Sequence, residues 1–178
     1  MGDCANNYPN LFREMTWPGG PIQVRFRLLD NAPPSHLIAN VNIVPWTSDG
    51  WLMIQLNDGS WEIPGGTLDP GETYLDTIRR ELIEEAGASL KSFQIFGGWY
   101  CVSLASTPYR SHLPHPEFYR VVGMGEVEII QEPENPERGE QVSVVACVSL
   151  ETVVERFVSI KRYDLAELYQ LASKQGAI

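Results

Sequence analysis

The segment from Gly66 to Ala88, GTLDPGETYLDTIRRELIEEAGA, constrains the chain more than any other. A turn-rich opening leads into a predicted helix, with Thr73 as its N-cap and Asp76 at the third helical position, in a capping-box arrangement. Gly87 is expected to end this helix. Apolar residues recur at three- and four-residue spacing, which predicts that one stripe of the helix faces a core. These residues are Leu75, Ile78, Leu82 and Ala86.

Three glutamates lie beside the apolar stripe. Glu81 and Glu85 are one helical turn apart and project within about 40° of each other, while Glu84 lies on the neighbouring row. Like charges at this spacing destabilise a helix by roughly a few tenths of a kcal/mol when nothing neutralises them. A hard divalent cation such as Mg²⁺, which prefers oxygen ligands, would neutralise them. The alternative interpretation is a solvated acidic face of a surface helix.

The spacing of glycines and charges in this segment is more specific than the acidic cluster. Five residues separate Gly66 from Glu72, and seven more precede the run Arg80-Glu81-Leu82, Glu84-Glu85 and Gly87. This pattern resembles the Nudix box of the Nudix hydrolases at every position that the box restricts to one residue type. Only Ala88 departs, because the family usually carries a larger aliphatic residue there. The approach WEIPGG at residues 61–66 is also similar, so the resemblance is strong over residues 37–90.

The resemblance implies a hydrolase that cleaves the pyrophosphate bond of a nucleoside diphosphate linked to another group. It implies Mg²⁺, with Mn²⁺ as a substitute, held by Glu81, Glu84, Glu85 and the carbonyl of Gly66. Such chemistry needs neutralised nonbridging oxygens and a positioned nucleophile, which bound Mg²⁺ and carboxylates supply. Glu72 is expected to help hold the metal site and to pair with Arg80, which orients the carboxylates.

The general base is left open, because the family sometimes uses a glutamate of the box, here Glu84 or Glu85, and sometimes one from a later loop. Glu140, just before the last predicted strand, is the first loop candidate, and Glu137 and Glu134 are the next. A solvated acidic loop is the alternative interpretation of these three residues.

Substrate contacts are predicted from residues outside the box. Arg25 lies on the polar face of a predicted strand, and Arg110 lies in the loop at residues 106–116. Both could meet phosphate, although an ordinary solvated surface is the favoured interpretation of either. Aromatic residues that could stack on a base are Trp46, Trp99, Tyr109 and Tyr119, and Tyr119 is assigned to substrate binding.

The remaining chain predicts an α/β fold of one domain over residues 1–178. Residues 1–20 are expected to be a loop-like N-terminal extension that ends in a turn at residues 17–20. A short helix is expected to start at Ser149, and a final amphipathic helix is expected to be capped by Asp164 with Glu167. The family resemblance implies an α/β/α sandwich with a mixed central sheet and the box helix packed against it. Strands are predicted at residues 22–28, 37–45, 51–56, 92–104, 118–130 and 142–148.

Charge and cysteine content bear on the partners and the compartment. A net charge of −10 argues against nucleic acid and against anionic membranes, which attract Lys and Arg. The expected partner is a small nucleotide-derived substrate, and a homodimer is left open. Three cysteines without a CxxC pair predict free thiols in a reducing compartment. No signal sequence or membrane span is recognised, so a cytoplasmic location is expected.

A second class of function is a Nudix fold that has lost catalysis and serves as a nucleotide-sensing or protein-binding module. Such a module has no reason to keep the complete set of box carboxylates together with Arg80, so the enzyme is favoured. The identity of the group linked to the nucleoside diphosphate does not follow from the sequence. Dinucleoside polyphosphates, nucleotide sugars and damaged nucleoside triphosphates all stay open.

Overall fold

A computed structural model describes residues 2–17 and 20–176 of the chain. The α-helices in these residues are α1 (Gly2–Asn7), α2 (Tyr74–Ala86), α3 (Leu150–Ser159) and α4 (Tyr163–Lys174). The strands are β1 (Met15–Thr16), β2 (Ile22–Leu28), β3 (Ile38–Thr47), β4 (Gly50–Leu56), β5 (Trp61–Glu62), β6 (Gly65–Thr67), β7 (Ala88–Leu90), β8 (Gln94–Ser103), β9 (Glu117–Ile129) and β10 (Val142–Val148). The assignment of the whole chain to one domain stays a prediction.

The strands form a mixed sheet in the order β1-β2-β8-β9-β3-β4-β10, with β5 beside β4, β6 beside β3 and β7 beside β9. The central pair β3 and β9 is parallel, and the other described pairs are antiparallel. Because β3 is long and apolar, it is buried in the middle of the sheet. The predicted mixed sheet is confirmed.

Helices cover both faces of the sheet, which confirms the predicted α/β/α sandwich. On one face, Ile78 and Leu82 of α2 pack in a fully buried cluster with Ile43 of β3. On the other face, α3 and α4 build a second cluster, in which Tyr169 packs edge-on against Trp51 of β4 at 5.7 Å between ring centres. The box helix is thus anchored by its apolar stripe, and its acidic edge is left beside β6.

Helix α2 has the ends that its sequence predicts. The Thr73 side chain accepts a hydrogen bond from the Asp76 N–H at 3.2 Å, and the Asp76 carboxylate accepts one from the Thr73 N–H at 3.0 Å. Gly87 ends the helix with φ +58°, in the left-handed region that favours glycine. The capping box fixes where the acidic edge of α2 begins.

The prediction of a loop-like N-terminus is wrong. Residues 2–7 form α1, β1 pairs with β2, and Tyr8 and Leu11 are buried in the cluster around α4. The physical reason is tertiary packing, which a polar local composition does not reveal. The turn predicted at residues 17–20 includes Pro18 and Gly19, which lie outside the described residues.

The predicted cap of the last helix is also wrong. Helix α4 begins after Arg162 and has no capping hydrogen bond from a side chain. Asp164 instead accepts from the Arg162 guanidinium at 3.1 Å, and Glu167 accepts from the Leu11 N–H at 2.7 Å. Glu167 therefore serves a tertiary contact with the N-terminal segment, whereas Asp164 makes a local pair with Arg162 at the start of α4.

All three cysteines are free thiols, as predicted. Burial raises the pKa of the Cys101 thiol to about 12, so this side chain stays protonated and packs as an apolar group. No helix within residues 2–17 and 20–176 has the length and hydropathy needed to span a bilayer.

Candidate active site

A cleft of about 910 Å³ opens beside the acidic edge of α2. Strand β6 and the start of β3 form its floor, and the loops before β9 and β10 form its sides. Its volume lies in the range of pockets that hold small molecules, about 300–1,000 Å³. The predicted site residues in its lining are Gly66, Arg80, Glu81, Glu84, Glu85, Arg110 and Glu140.

Two carboxylates of α2 lie against the backbone of the glycine pair that begins β6. Glu85 is 4% exposed, and its Oε2 accepts a hydrogen bond from the Gly65 N–H at 2.9 Å. Glu81 is also buried, and its Oε1 lies so close to Gly66 that a Cβ added there would stand 1.8 Å away. Glycine at position 66 therefore lets the Glu81 carboxylate reach the backbone.

Glu85 is a buried carboxylate without a cationic partner among the described residues. The pKa of Glu85 is raised to about 9, chiefly by burial, although the hydrogen bond from Gly65 opposes the shift. Repulsion by the neighbouring carboxylates of Glu81, Glu140 and Glu84 contributes to the raised pKa. A positive charge bound in this cleft would relieve both the burial and the repulsion.

Arg80 links the other box carboxylates. Its Nε and Nη2 donate to the two oxygens of Glu72 at 2.8 and 3.1 Å, so the predicted pairing of these residues is present. The same guanidinium donates to Glu81 at 2.8 Å and to Glu84 at 3.3 Å. The hydrogen bond from Arg80 lowers the pKa of Glu72 to about 2. Arg80 thus contacts three carboxylates at once, and its role in orienting them for a metal ion stays a prediction.

The donor set fits a hard divalent cation. Carboxylate oxygens of Glu81 and Glu85 and the nearby Gly66 backbone are the ligand types that Mg²⁺ prefers, and the close approach at Gly66 brings them together. Among the described residues no group of three acidic, histidine or cysteine side chains is arranged as a metal cage. The metal roles of Glu81, Glu84, Glu85 and Gly66 therefore stay predictions.

The loop before β10 brings Glu140 to the cleft. Its carboxylate lies close enough to Glu85 to raise the pKa of that residue. Glu134 and Glu137 do not line the cleft, and Glu134 instead accepts from the Gln131 side chain at 3.2 Å. Of the three loop glutamates, Glu140 is the one that lines the cleft, and its role as a base stays a prediction.

Of the residues predicted to contact substrate, Arg110 lines the cleft, whereas Arg25 and Tyr119 lie outside its lining. Arg110 lines the cleft 3.6 Å from Asp69, and its neighbour Tyr109 is 84% exposed at the rim. Arg25 lies outside the cleft lining and pairs with Glu14. Tyr119 also lies outside, 5.3 Å from the Tyr100 ring. The cleft gives no support to substrate binding by these last two residues, which stays a prediction. Trp46 and Trp99 pack against the core.

The sequence analysis missed several cleft residues. Arg120 of β9, Asn40 of β3 and Arg138 of the loop before β10 line the cleft, together with the half-buried rings of Trp17 and Phe118. The available signal was a polar residue within an apolar strand, as in the run IANVNIV at residues 38–44. A buried polar side chain in such a run needs a partner.

Comparisons with known proteins agree with this geometry. The model of the NUDIX domain matches residues 36–168. An RNA pyrophosphohydrolase of Bartonella bacilliformis is 29% identical over 112 residues, which cover 58% of this chain and 65% of that protein. A putative 8-oxo-dGTP diphosphatase of Bacillus subtilis, YtkD, is 32% identical over 76 residues, which cover 43% of this chain and 46% of that protein. The chain thus spans less than two thirds of either relative.

Solved structures show the same fold. The crystal structure of a mutant of the Bacillus subtilis pyrophosphohydrolase BsRppH superimposes with a TM-score of 0.57 and 17% sequence identity. The superposition covers 89% of this chain and 96% of that one. At this identity the likeness concerns the arrangement of helices and strands.

Proposed function

Because the chain belongs to the NUDIX family, we propose that it is a Mg²⁺-dependent hydrolase that cleaves the pyrophosphate bond of a nucleoside diphosphate linked to another group. One observation carries the proposal. Two buried carboxylates, Glu81 and Glu85, meet the backbone of Gly65 and Gly66 in the wall of a cleft large enough for a nucleotide. A buried acidic pair of this kind suits the binding of a cation.

Each residue of the site has a separate role in the proposed reaction. Glu81, Glu85 and the Gly66 carbonyl would hold Mg²⁺, and Glu84 stands beside them. Arg80 keeps Glu81 in place through the hydrogen bond of 2.8 Å. When bound, the ion supplies positive charge for the nonbridging oxygens and makes a water more acidic. Glu140, on the side of the cleft, would take the proton of the attacking water.

Substrate phosphates need further positive charge in an acidic protein. Arg110 and Arg138 line the cleft on the loops before β9 and β10, where their guanidinium groups could pair with phosphate oxygens. The names of the relatives, an RNA pyrophosphohydrolase and a putative 8-oxo-dGTP diphosphatase, make triphosphate ends of nucleotides the first substrates to test. That free nucleotides are preferred to nucleic acid, and that the protein is cytoplasmic, remain parts of the proposal.

The first test is a substrate screen. Nucleoside triphosphates, dinucleoside polyphosphates and nucleotide sugars are incubated with the protein and Mg²⁺, and released phosphate and pyrophosphate are measured. We expect turnover of at least one class, abolished by EDTA. Millimolar Mg²⁺ or Mn²⁺ should also raise the melting temperature, because the ion binds the folded carboxylates and not the unfolded chain. No turnover of any class, with nucleotide binding intact, would favour the binding module instead.

A substitution tests the metal site directly. We expect Glu85→Gln to lower kcat/KM by about 100-fold or more, because it removes a charge while keeping nearly the same volume. Since the neutral side chain suits its buried position, the fold should persist, and the Mg²⁺-induced rise in melting temperature should shrink. Glu151→Gln, on the exposed first turn of α3, is the matched control and should be near neutral. Activity of Glu85→Gln within about threefold of the parent would exclude Glu85 as a ligand.

A further inference from the structure

Two buried polar atoms in the cleft have no hydrogen-bond partner in the described structure. They are Nε of Arg120 and Oδ1 of Asn40. Arg120 lies on β9 and Asn40 on β3, and the parallel register pairs these two residues directly. Register partners extend from the same face of a sheet, so the two side chains stand next to each other. Both line the cleft.

This pair is costly if nothing binds it. A buried donor or acceptor without a partner destabilises a folded protein. Burial also lowers the pKa of Arg120, which reflects the same unfavourable environment for its charge. The guanidinium carbon lies 4.6 Å from the centre of the Trp17 ring, a contact that holds the group but gives Nε no hydrogen-bond acceptor. Unpartnered groups of this kind in a cleft are typical of a site completed by a ligand.

The chemistry of the pair restricts the ligand. A guanidinium offers only donors, and the Asn40 Oδ1 atom is an acceptor. Phosphate at neutral pH would satisfy Arg120 through its oxygens and would leave the Asn40 acceptor with little to bind. A planar base edge offers both kinds of group side by side. The ligand edge should therefore place hydrogen-bond acceptors next to a donor.

Guanine offers two neighbouring acceptors for the guanidinium fork and a donor beside them for Asn40, whereas adenine offers a single acceptor on each side of its amino donor. The guanine edge carries N7 and O6 as neighbouring acceptors, which suit arginine. The N1–H donor adjoins O6 and can face an asparagine oxygen. Adenine places its amino donor where guanine has O6, and this donor would face the guanidinium donors. The half-buried rings of Trp17 and Phe118 in the same cleft offer faces for the base.

We infer that Arg120 and Asn40 form a subsite that recognises the base of a 6-oxopurine nucleotide, of the guanine type. The inference rests on the proposed function, because it assigns the base end of the same substrate. Asn40 is the register partner of Thr67 in β6, the residue after Gly66. A nucleotide held by its base at this subsite therefore lies in the cleft that contains the box carboxylates.

Binding of nucleoside monophosphates tests the subsite apart from hydrolysis, because these probes have no pyrophosphate bond. Calorimetry compares GMP, AMP and inorganic phosphate with the whole chain. We expect GMP to bind at least about tenfold more tightly than AMP, the discrimination of one good arginine–guanine contact. Arg120→Met and Asn40→Leu should each reduce the preference to within about threefold. Arg27→Met is the matched control, at an exposed position of β2 where the guanidinium stacks over Tyr100, and it should keep the preference.

Further outcomes decide the inference. Arg120→Met removes an unpaired buried donor, so its melting temperature should not fall. If that variant does not fold, Arg120→Lys keeps the charge and should still lose the preference, because lysine lacks the planar fork. Equal binding of GMP and AMP by the parent overturns the inference. An equal loss of GMP, AMP and inorganic phosphate in Arg120→Met also overturns it, because that result assigns the arginine to phosphate. A guanine preference without any hydrolysis supports the subsite and contradicts only the proposed function.

Discussion

Position 66 requires glycine because a larger residue would clash with a neighbouring side chain, and not because of its backbone conformation. Its φ angle is not in the left-handed region, but an added Cβ would stand 1.8 Å from Oε1 of Glu81 and 2.4 Å from its Cδ. An alanine would therefore displace the Glu81 carboxylate, which also receives the Arg80 hydrogen bond. The absence of a side chain at position 66 thus allows Glu81, a proposed metal ligand, to keep its position.

We expect Gly66→Ala to lower kcat/KM by at least about tenfold and to reduce the Mg²⁺-induced rise in melting temperature. Gly20→Ala is the matched control, because Gly20 also lines the cleft but an added Cβ would make only ordinary contacts at 3.9 Å. Steady-state kinetics and thermal melts with and without Mg²⁺ measure both effects. If Gly66→Ala behaves like Gly20→Ala in both assays, the position of Glu81 does not matter for metal binding.

Individual residues were predictable where their partners are close in sequence. The pair of Glu72 and Arg80 follows from the box pattern, since both lie on one helix and its entry. The pair of Asn40 and Arg120 was not predictable, because it depends on the parallel register of β3 and β9. Two polar residues on distant strands reveal no common site until that pairing is known.

At the scale of elements, α2 positions the site and its capping box fixes where it starts. We expect Thr73→Ala to lower the free energy of unfolding by about 1 kcal/mol, because it leaves the Asp76 N–H without its acceptor. Thr107→Ala, at an exposed loop position where no side-chain hydrogen bond is seen in the described structure, should change it by less than about 0.5 kcal/mol. Urea denaturation with EDTA present measures both. A loss for Thr73→Ala no larger than for Thr107→Ala would contradict the role of the cap.

Elements were predictable when their signals are local. The cap at Thr73 and the left-handed Gly87 are both encoded beside α2, and the observed ends agree with them. Helix α1 and the true contact of Glu167 were missed, because they depend on packing between the two ends of the chain. Strand β7 was missed for a similar reason, since its three residues are ordered by pairing with β9.

At the scale of the molecule, the N-terminal segment is part of the core. Leu11 is 1% exposed and packs in the cluster of α3 and α4, and its N–H donates to Glu167. We expect Leu11→Ala to lower the free energy of unfolding by about 2–5 kcal/mol through the cavity it leaves. Val158→Ala, at a position 42% exposed on α3, is the control and should cost much less. Urea denaturation measures both, and equal small losses would show that the segment is not packed as described.

Trp17 packs against Arg120 and lines the cleft, although it lies before the region that the family model matches. The residues that match the family model begin at 36, whereas Trp17 precedes them and still lines the cavity. A substitution at Trp17 would therefore alter the wall of this cleft while every carboxylate of the box stays intact.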